Sequence, residues 1–211
     1  MRTAAGRYLL DHWLRPGLRE LLAHRDMPEI EFLRANDRDG VLALLREDEA
    51  DCGFFHGEPV ENEEFATRVL RISTVGLYAA PELAKQVADR PHDITAFPFV
   101  LSPAGSKAEL YQLQQLETAG VTPRVVAARS QYTEYQLELV CAGRGMGLLF
   151  DDDAHVKVAT GELVRLPLSF APGARCMVTS RAAPPDRRLG RAIDLICGFL
   201  SRPSTLSPQN G

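Results

Sequence analysis

One stretch, Ser130 to Phe150, narrows what this chain can fold into more than any other. Ser130 can cap a helix in which Leu137, Val140 and Cys141 recur three and four positions apart, and Gly143 to Gly147 then turn the chain into a short apolar strand. The unit is bracketed by a helix start and a strand end. In an open α/β sheet those two ends face the crevice where ligands bind, because the helix start offers free N–H groups and the diverging loops leave a gap.

The rest of the sequence repeats the alternation. Arg2 to Ala5 reads as a strand end, and Gly6 turns it into a helix carrying Tyr8, Leu9, Leu10, Trp13, Leu14, Leu18, Leu21 and Leu22, kinked by Pro16. Glu29 to Arg34 reads as a strand, Asn36 to Asp39 as the turn capping a helix through Leu45, and Asp51 to Phe55 as a strand. Beyond the acidic loop Glu58 to Glu64, the β-branched run Arg68 to Ala79 predicts one long strand interrupted by Gly76. Pro81 opens a short helix, and Pro98 to Leu101 is a strand. After the loop Ser102 to Ser106, Ala108 to Thr118 is a helix with Leu110, Leu113 and Leu116 inward. Arg124 to Ala128 is the strand that leads into Ser130. Downstream come a polar helix or turn from Asp151, the segment Gly161 to Leu166, a strand Arg175 to Ser180 and a helix Pro185 to Leu200. Residues 206–211, rich in Ser and Pro, are expected to fray.

Composition excludes several classes. With 45% apolar and 25% charged residues over 211 positions, the chain has material for one large core or two small ones. The net charge of -4 argues against a nucleic-acid surface spread over the chain. Cys52, Cys141, Cys176 and Cys197 are far apart in apolar segments, as buried thiols of a reducing cytosol would be. The first apolar patch is broken by Asp11, His12 and Arg15, unlike a signal peptide, and no window approaches a membrane span. A soluble, cytoplasmic protein is expected.

The succession resembles the effector-binding (substrate-binding) domain of LysR-type transcriptional regulators, which has the type 2 periplasmic-binding-protein fold. The resemblance is carried by Tyr8-Leu9-Leu10 with Leu14 and Pro16, by Asp51-Cys52-Gly53-Phe54, by Leu139 to Leu149, and by Gly161 to Leu166, in that order. It implies an α/β fold of two lobes, each a mostly parallel sheet flanked by helices, joined by two crossover strands, with a small molecule held between them. Residues 1–77 and 174–205 would form lobe I, and 78–173 lobe II. The family's winged helix-turn-helix is not present in this sequence, so DNA binding by this chain alone is not expected. A head-to-tail homodimer is implied, pairing Arg7 to Ala23 and Glu29 to Arg34 with Thr133 to Ala142 of a second copy.

By the same resemblance, Thr3, Ala4, Asp37, Arg38, His56, Ser102, Ser130, Tyr132 and Thr133 are the candidate effector contacts. Three of these segments start helices, where free N–H groups meet a carboxylate. Asp37 stands where the family usually has Ser or Thr, which points toward an acid that also bears an amine. Helix capping is the alternative role for Asp37, Ser102 and Ser130, a hydrogen-bonded strand histidine for His56, and a core aromatic for Tyr132.

Other motifs read as structure. Gly143-Arg144-Gly145-Met146-Gly147 follows a helix and precedes a strand, the reverse of a dinucleotide fingerprint. Gly105-Ser106-Lys107 lacks the upstream glycine of a P-loop, Asp151-Asp152-Asp153 with His155 reads as a solvated helix start, and Cys141 has no basic neighbour in sequence. Neither a cofactor nor a metal is expected. The reading is a domain sensing a small carboxylate or amino-acid-like effector, whose binding shifts an open/closed balance. A transport-type solute receptor and an enzyme on the same fold are the alternatives.

Overall fold

Why the helix–strand alternation sorts into two cores is visible in the computed structural model, which describes residues 1–60 and 62–202. In chain order the elements begin with β1 (Arg2–Gly6), a π-helical segment Leu9–Leu14, a 3-10 turn Arg15–Gly17, α1 (Leu18–Leu22), β2 (Glu31–Ala35), α2 (Arg38–Arg46), β3 (Cys52–Gly57) and β4 (Phe65–Ser73). They continue with β5 (Val75–Ala79), α3 (Pro81–Asp89), a 3-10 segment Pro91–Ala96, β6 (Pro98–Leu101), α4 (Lys107–Thr118), β7 (Val125–Arg129), α5 (Thr133–Cys141) and β8 (Met146–Phe150). The last are α6 (Asp151–Ala159), β9 (Val164–Arg165), β10 (Gly173–Ser180) and α7 (Arg187–Leu200). Contacts divide the described chain into two units, Met1–Ile72 with the segment from Gly173 onward, and Ser73–Pro172.

The first unit is built on a sheet of order β2-β1-β3-β10-β4. β1 runs parallel to β2 and β3, and β10 runs antiparallel to β3. Side chains alternate across the pleat. Cys52 and Phe54 pack with Leu9, Trp13, Ile193 and Ile196 on one face, while Phe55 packs with Val41, Leu45, Cys176 and Val178 on the other. With helices on both faces, β3 is apolar through its centre rather than alternating.

The second unit has a sheet of order β7-β6-β8-β5-β9, in which β6 runs parallel to β7 and β8 while β5 runs antiparallel to β8 and β9. Leu77, Phe99, Leu101 and Met146 face α3 and α4 residues such as Leu83 and Leu116. Tyr78, Val100 and Leu149 lie on the other side with Val140 and Leu163. Gly147 is what lets α5 lie so close to β8, since a Cβ there would sit 2.6 Å from Val140 Cγ2. Gly143 ends α5 in the left-handed region (φ 70°), and the Arg144 N–H then reaches back to the Leu139 carbonyl at 3.0 Å.

Several expectations need correcting. The run Arg68 to Ala79 is two strands, not one: β4 ends at Ser73 and β5 begins at Val75 in the other sheet. The kink at Pro16 is a 3-10 turn between the π segment and α1, because Pro16 has no N–H to give an α-helical bond. On α4, Leu116 is buried as expected, but Leu110 is 60% exposed, and Glu109 and Gln112 are buried in its place. Residues 206–211, read as a fraying tail, lie outside the described residues, as does one residue of the acidic loop. No described helix is long and apolar enough to cross a membrane.

Candidate functional site

Within the first unit the sequence candidates divide by accessibility. Thr3 and Ala4, expected in the loop before the first helix, lie inside β1 and are both 0% exposed. β1 is flanked on both sides, with Ala4 opposite Leu33 and Gly53, so the strand continues to Gly6 and takes both residues into the interior. The Thr3 hydroxyl meets the Cys52 thiol at 3.6 Å. Asp37 is the N-cap of α2, accepting the Gly40 N–H at 2.8 Å. Arg38 reaches Asp39 at 3.6 Å and the Glu58 carbonyl at 3.5 Å, tying the start of α2 to the loop beyond His56. His56 sits on β3 opposite Arg175 of β10, and a Cβ on Gly173 would lie 2.5 Å from its ring.

The second unit brings its candidates together, and with them four residues that were not singled out from sequence. Gln112 Oε1 accepts the Ser102 N–H at 2.8 Å, and Gln112 Nε2 donates to Gln136 Oε1 at 3.1 Å. Gln136 Nε2 donates to Ser102 Oγ at 3.1 Å and to the Ser130 carbonyl at 2.6 Å. Arg129 donates to the Ser102 carbonyl at 2.7 Å and pairs with Glu109 at 2.5 Å. The other Glu109 oxygen accepts the Gly105 N–H at 2.6 Å. The loop Ser102 to Ser106 is thereby held at several backbone groups, with Ser106 accepting the Glu109 N–H at 3.1 Å as the N-cap of α4. Arg129 beside it, and the Gly105 N–H, hold the Glu109 carboxyl below its ordinary value.

Ser130 does not cap α5. The N-cap is Tyr132, which makes no side-chain capping bond, and Ser130 Oγ accepts the Tyr132 N–H at 3.0 Å in a local turn. The Ser130 hydroxyl in turn donates to the Tyr132 carbonyl at 3.2 Å. Thr133 is the first helical residue, and the Tyr132 ring lies 5.7 Å from that of Tyr135. Ser102 differs from Ser130. It is 3% exposed, its oxygen accepts from Gln136, and no described residue accepts its proton.

Signals for the missed residues were present. Ser106 and Glu109 form the S-x-x-E pattern of a capping box, and Arg129 lies opposite Leu101 in the β6–β7 register. Gln136 stands four residues before the buried Val140, on the inward face of α5.

Elsewhere, Asp151 opens α6, as the acidic run suggested. Burial pushes its carboxyl up, but hydrogen bonds from Thr74 and Tyr78 and the Arg165 guanidinium outweigh that and hold it below its ordinary value. Cys141 does have a basic neighbour, Lys157 from α6. Burial raises its thiol and Lys157 opposes the rise.

A family model described as the LysR substrate binding domain matches residues 2–201. The chain belongs to this family. Solved LysR-type domains share its fold at low identity. The regulatory domain of HypT from Salmonella typhimurium is 17% identical, with a TM-score of 0.69 over 95% of each chain. The regulatory domain of MetR from N. meningitidis is 17% identical, with a TM-score of 0.74 over 97% of this chain and 95% of that one. Full-length LysG from Corynebacterium glutamicum, solved with bound effector Arg, is 18% identical, with a TM-score of 0.74 over 95% of this chain and 67% of its own. A comparison with curated protein sequences gave no match. As a LysR substrate-binding domain, the chain is an effector-sensing domain of a transcriptional regulator, and the family match favours this over the solute receptor weighed from sequence.

Proposed function

We propose that this LysR domain senses a small carboxylate or an amino-acid-like acid, and that its second unit supplies the acid-binding end. The observation that carries the reading is the Ser102 hydroxyl, buried beneath the first turn of α5 with its proton unused by any described residue. A buried donor without an acceptor is costly, so a ligand oxygen that takes the proton gains more than a surface contact would. Thr133, Glu134 and Tyr135 open α5, and the positive end of the helix dipole lies there, beside Ser102.

Ser130, Tyr132 and Thr133 frame the same end. Asp37, Arg38 and His56 are the candidate contacts within the first unit, with the Asp37 carboxylate suited to an amino group. That LysG carries the amino acid Arg as its effector supports this class. Thr3 and Ala4 have no surface to offer and drop out of the set. A ligand that prefers one conformation shifts the population by its differential affinity, and that free energy is available to a DNA-binding partner. In this reading the regulator is a cytoplasmic homodimer that reaches DNA through a winged helix-turn-helix, with no chemistry performed on the effector.

The test is a thermal-shift screen of carboxylates and amino acids on the purified chain. A ligand at about 100 times its dissociation constant adds roughly 2.7 kcal/mol. Hits that lose their shift in the combined variant Asp37→Ala, Ser102→Ala, Ser130→Ala support the site. Hits that keep it place the site elsewhere.

A further inference from the structure

Two backbone groups fix the direction of every hydrogen bond in the Ser102 network. The Ser102 N–H can only donate, so the Gln112 atom facing it at 2.8 Å is the carbonyl oxygen. The Ser130 carbonyl can only accept, so the Gln136 atom facing it at 2.6 Å is the amide nitrogen. Between these ends the Gln112 amide donates to the Gln136 oxygen, and the second Gln136 N–H is left for Ser102 Oγ. Neither amide can flip without setting like groups against each other at both ends. Both Gln136 protons are consumed, and the Ser102 oxygen is already an acceptor.

We propose that Gln136 is a specificity-determining positioning residue: by donating to Ser102 Oγ it commits that hydroxyl to meet the effector as a hydrogen-bond donor. The inference rests on the reading of Ser102 as the acid contact and adds the reason for its selectivity. The domain would favour a ligand oxygen, whether carboxylate or amide carbonyl, over an ammonium group at the same position, because the Gln136 bond takes one of the two lone pairs of the hydroxyl and leaves its proton in need of an acceptor. Ser130 cannot play this part, because its hydroxyl closes a turn on Tyr132. Glutamate in place of Gln136 reverses the polarity. A carboxylate there takes the Ser102 proton, turns the lone pairs of the serine outward and faces the Ser130 carbonyl with like charge. Methionine keeps the length and removes the donor, so the Ser102 hydroxyl is no longer held in one orientation.

The experiment is amide NMR titration of the whole chain with propionate, hexanoate and phenylacetate, each beside its primary amide and its chain-matched primary amine. In the wild type, at least one acid and its amide are expected to move the Ser102 and Thr133 signals, and to do so at lower concentration than the matching amine. Gln136→Met is expected to weaken that acid about tenfold, the effect of losing one oriented buried hydrogen bond. Gln136→Glu is expected to abolish acid binding and admit the amine. If Gln136→Glu does not fold, Gln136→Met decides. Unchanged acid affinity in Gln136→Met, together with loss in Ser102→Ala, overturns the role of Gln136 and leaves the acid site standing. Wild-type binding of the amine at Ser102 as tight as that of its acid does the same. If no probe moves Ser102 or Thr133, or if Ser102→Ala binds acid like the wild type, the site reading itself falls and takes this inference with it.

Discussion

Thr74 and Asp151 hold each other twice. The Thr74 hydroxyl donates to Asp151 Oδ2 at 2.6 Å, and the Asp151 N–H donates to the Thr74 carbonyl at 3.0 Å. Thr74 is the one residue between β4 and β5, so this pair fixes the break that sequence patterning had read as continuous strand. Tyr78 adds a further donor to Asp151 at 2.6 Å.

Asp151→Asn should therefore lower stability, and the loss should depend on pH. The folded carboxyl lies below its ordinary value of 3.8, so its contribution is fully present above that pH and disappears as pH falls through the folded value. Urea midpoints of variant and wild type are expected to differ by a constant amount near neutral pH and to converge in acid. A gap that stays constant as the pH is taken from neutral to well below 3.8 sinks the account.

Arg175 is 1% exposed, with its guanidinium 3.3 Å from the Trp13 ring and a bond to the Leu200 carbonyl in the last turn of α7. Arg175→Met should cost about 2–4 kcal/mol, from the lost cation–π contact and charged hydrogen bond. Trp13 is the single tryptophan, so its emission reports the change directly. Unaltered emission and an unaltered midpoint would count against the clamp.

Gly147→Ala is expected to cost about 1–3 kcal/mol by overpacking against Val140. Adding Val140→Ala should recover part of that loss, since it removes the clashing methyl. A double-mutant cycle with no coupling would show that α5 does not bear on β8 at this point.

Glu109→Gln should loosen the loop Ser102 to Ser106 without unfolding α4. The Gly105 amide loses its charged acceptor, and its hydrogen exchange is expected to rise about fivefold or more, the equivalent of roughly 1 kcal/mol. Exchange at Leu116, deep in the same helix, should stay as it was.

Thiol labelling should proceed in order of burial. Burial pushes Cys52 up to about 12 and Cys176 up to about 11, so both stay protonated. Cys141, half-buried beside Lys157, is expected to react first in the native chain, with the other three released only on unfolding. Fast labelling of Cys52 would contradict the packing of β1 against β3.

Much of this protein was legible in its residues alone. The spacing of Leu, Val and Ile, the prolines at helix starts and the glycines past helix ends specified nearly every strand and helix, because those signals act within one turn or one strand. They also carried the resemblance that the family match bears out. Asp37 could be read as a cap for the same reason, its acceptor lying only three residues away.

What the sequence could not disclose is which polar groups meet once the elements pack. Leu110 looked inward and is outside, because Glu109 and Gln112 found partners on Arg129, Ser102 and Gln136 that lie 10 to 24 residues away. Ser102 and Ser130 are the same residue type in the same kind of loop. Only the packed amides leave one hydroxyl with a proton to give and spend the other on its own backbone, since a hydrogen bond is decided by distance and direction in space and not by position along the chain.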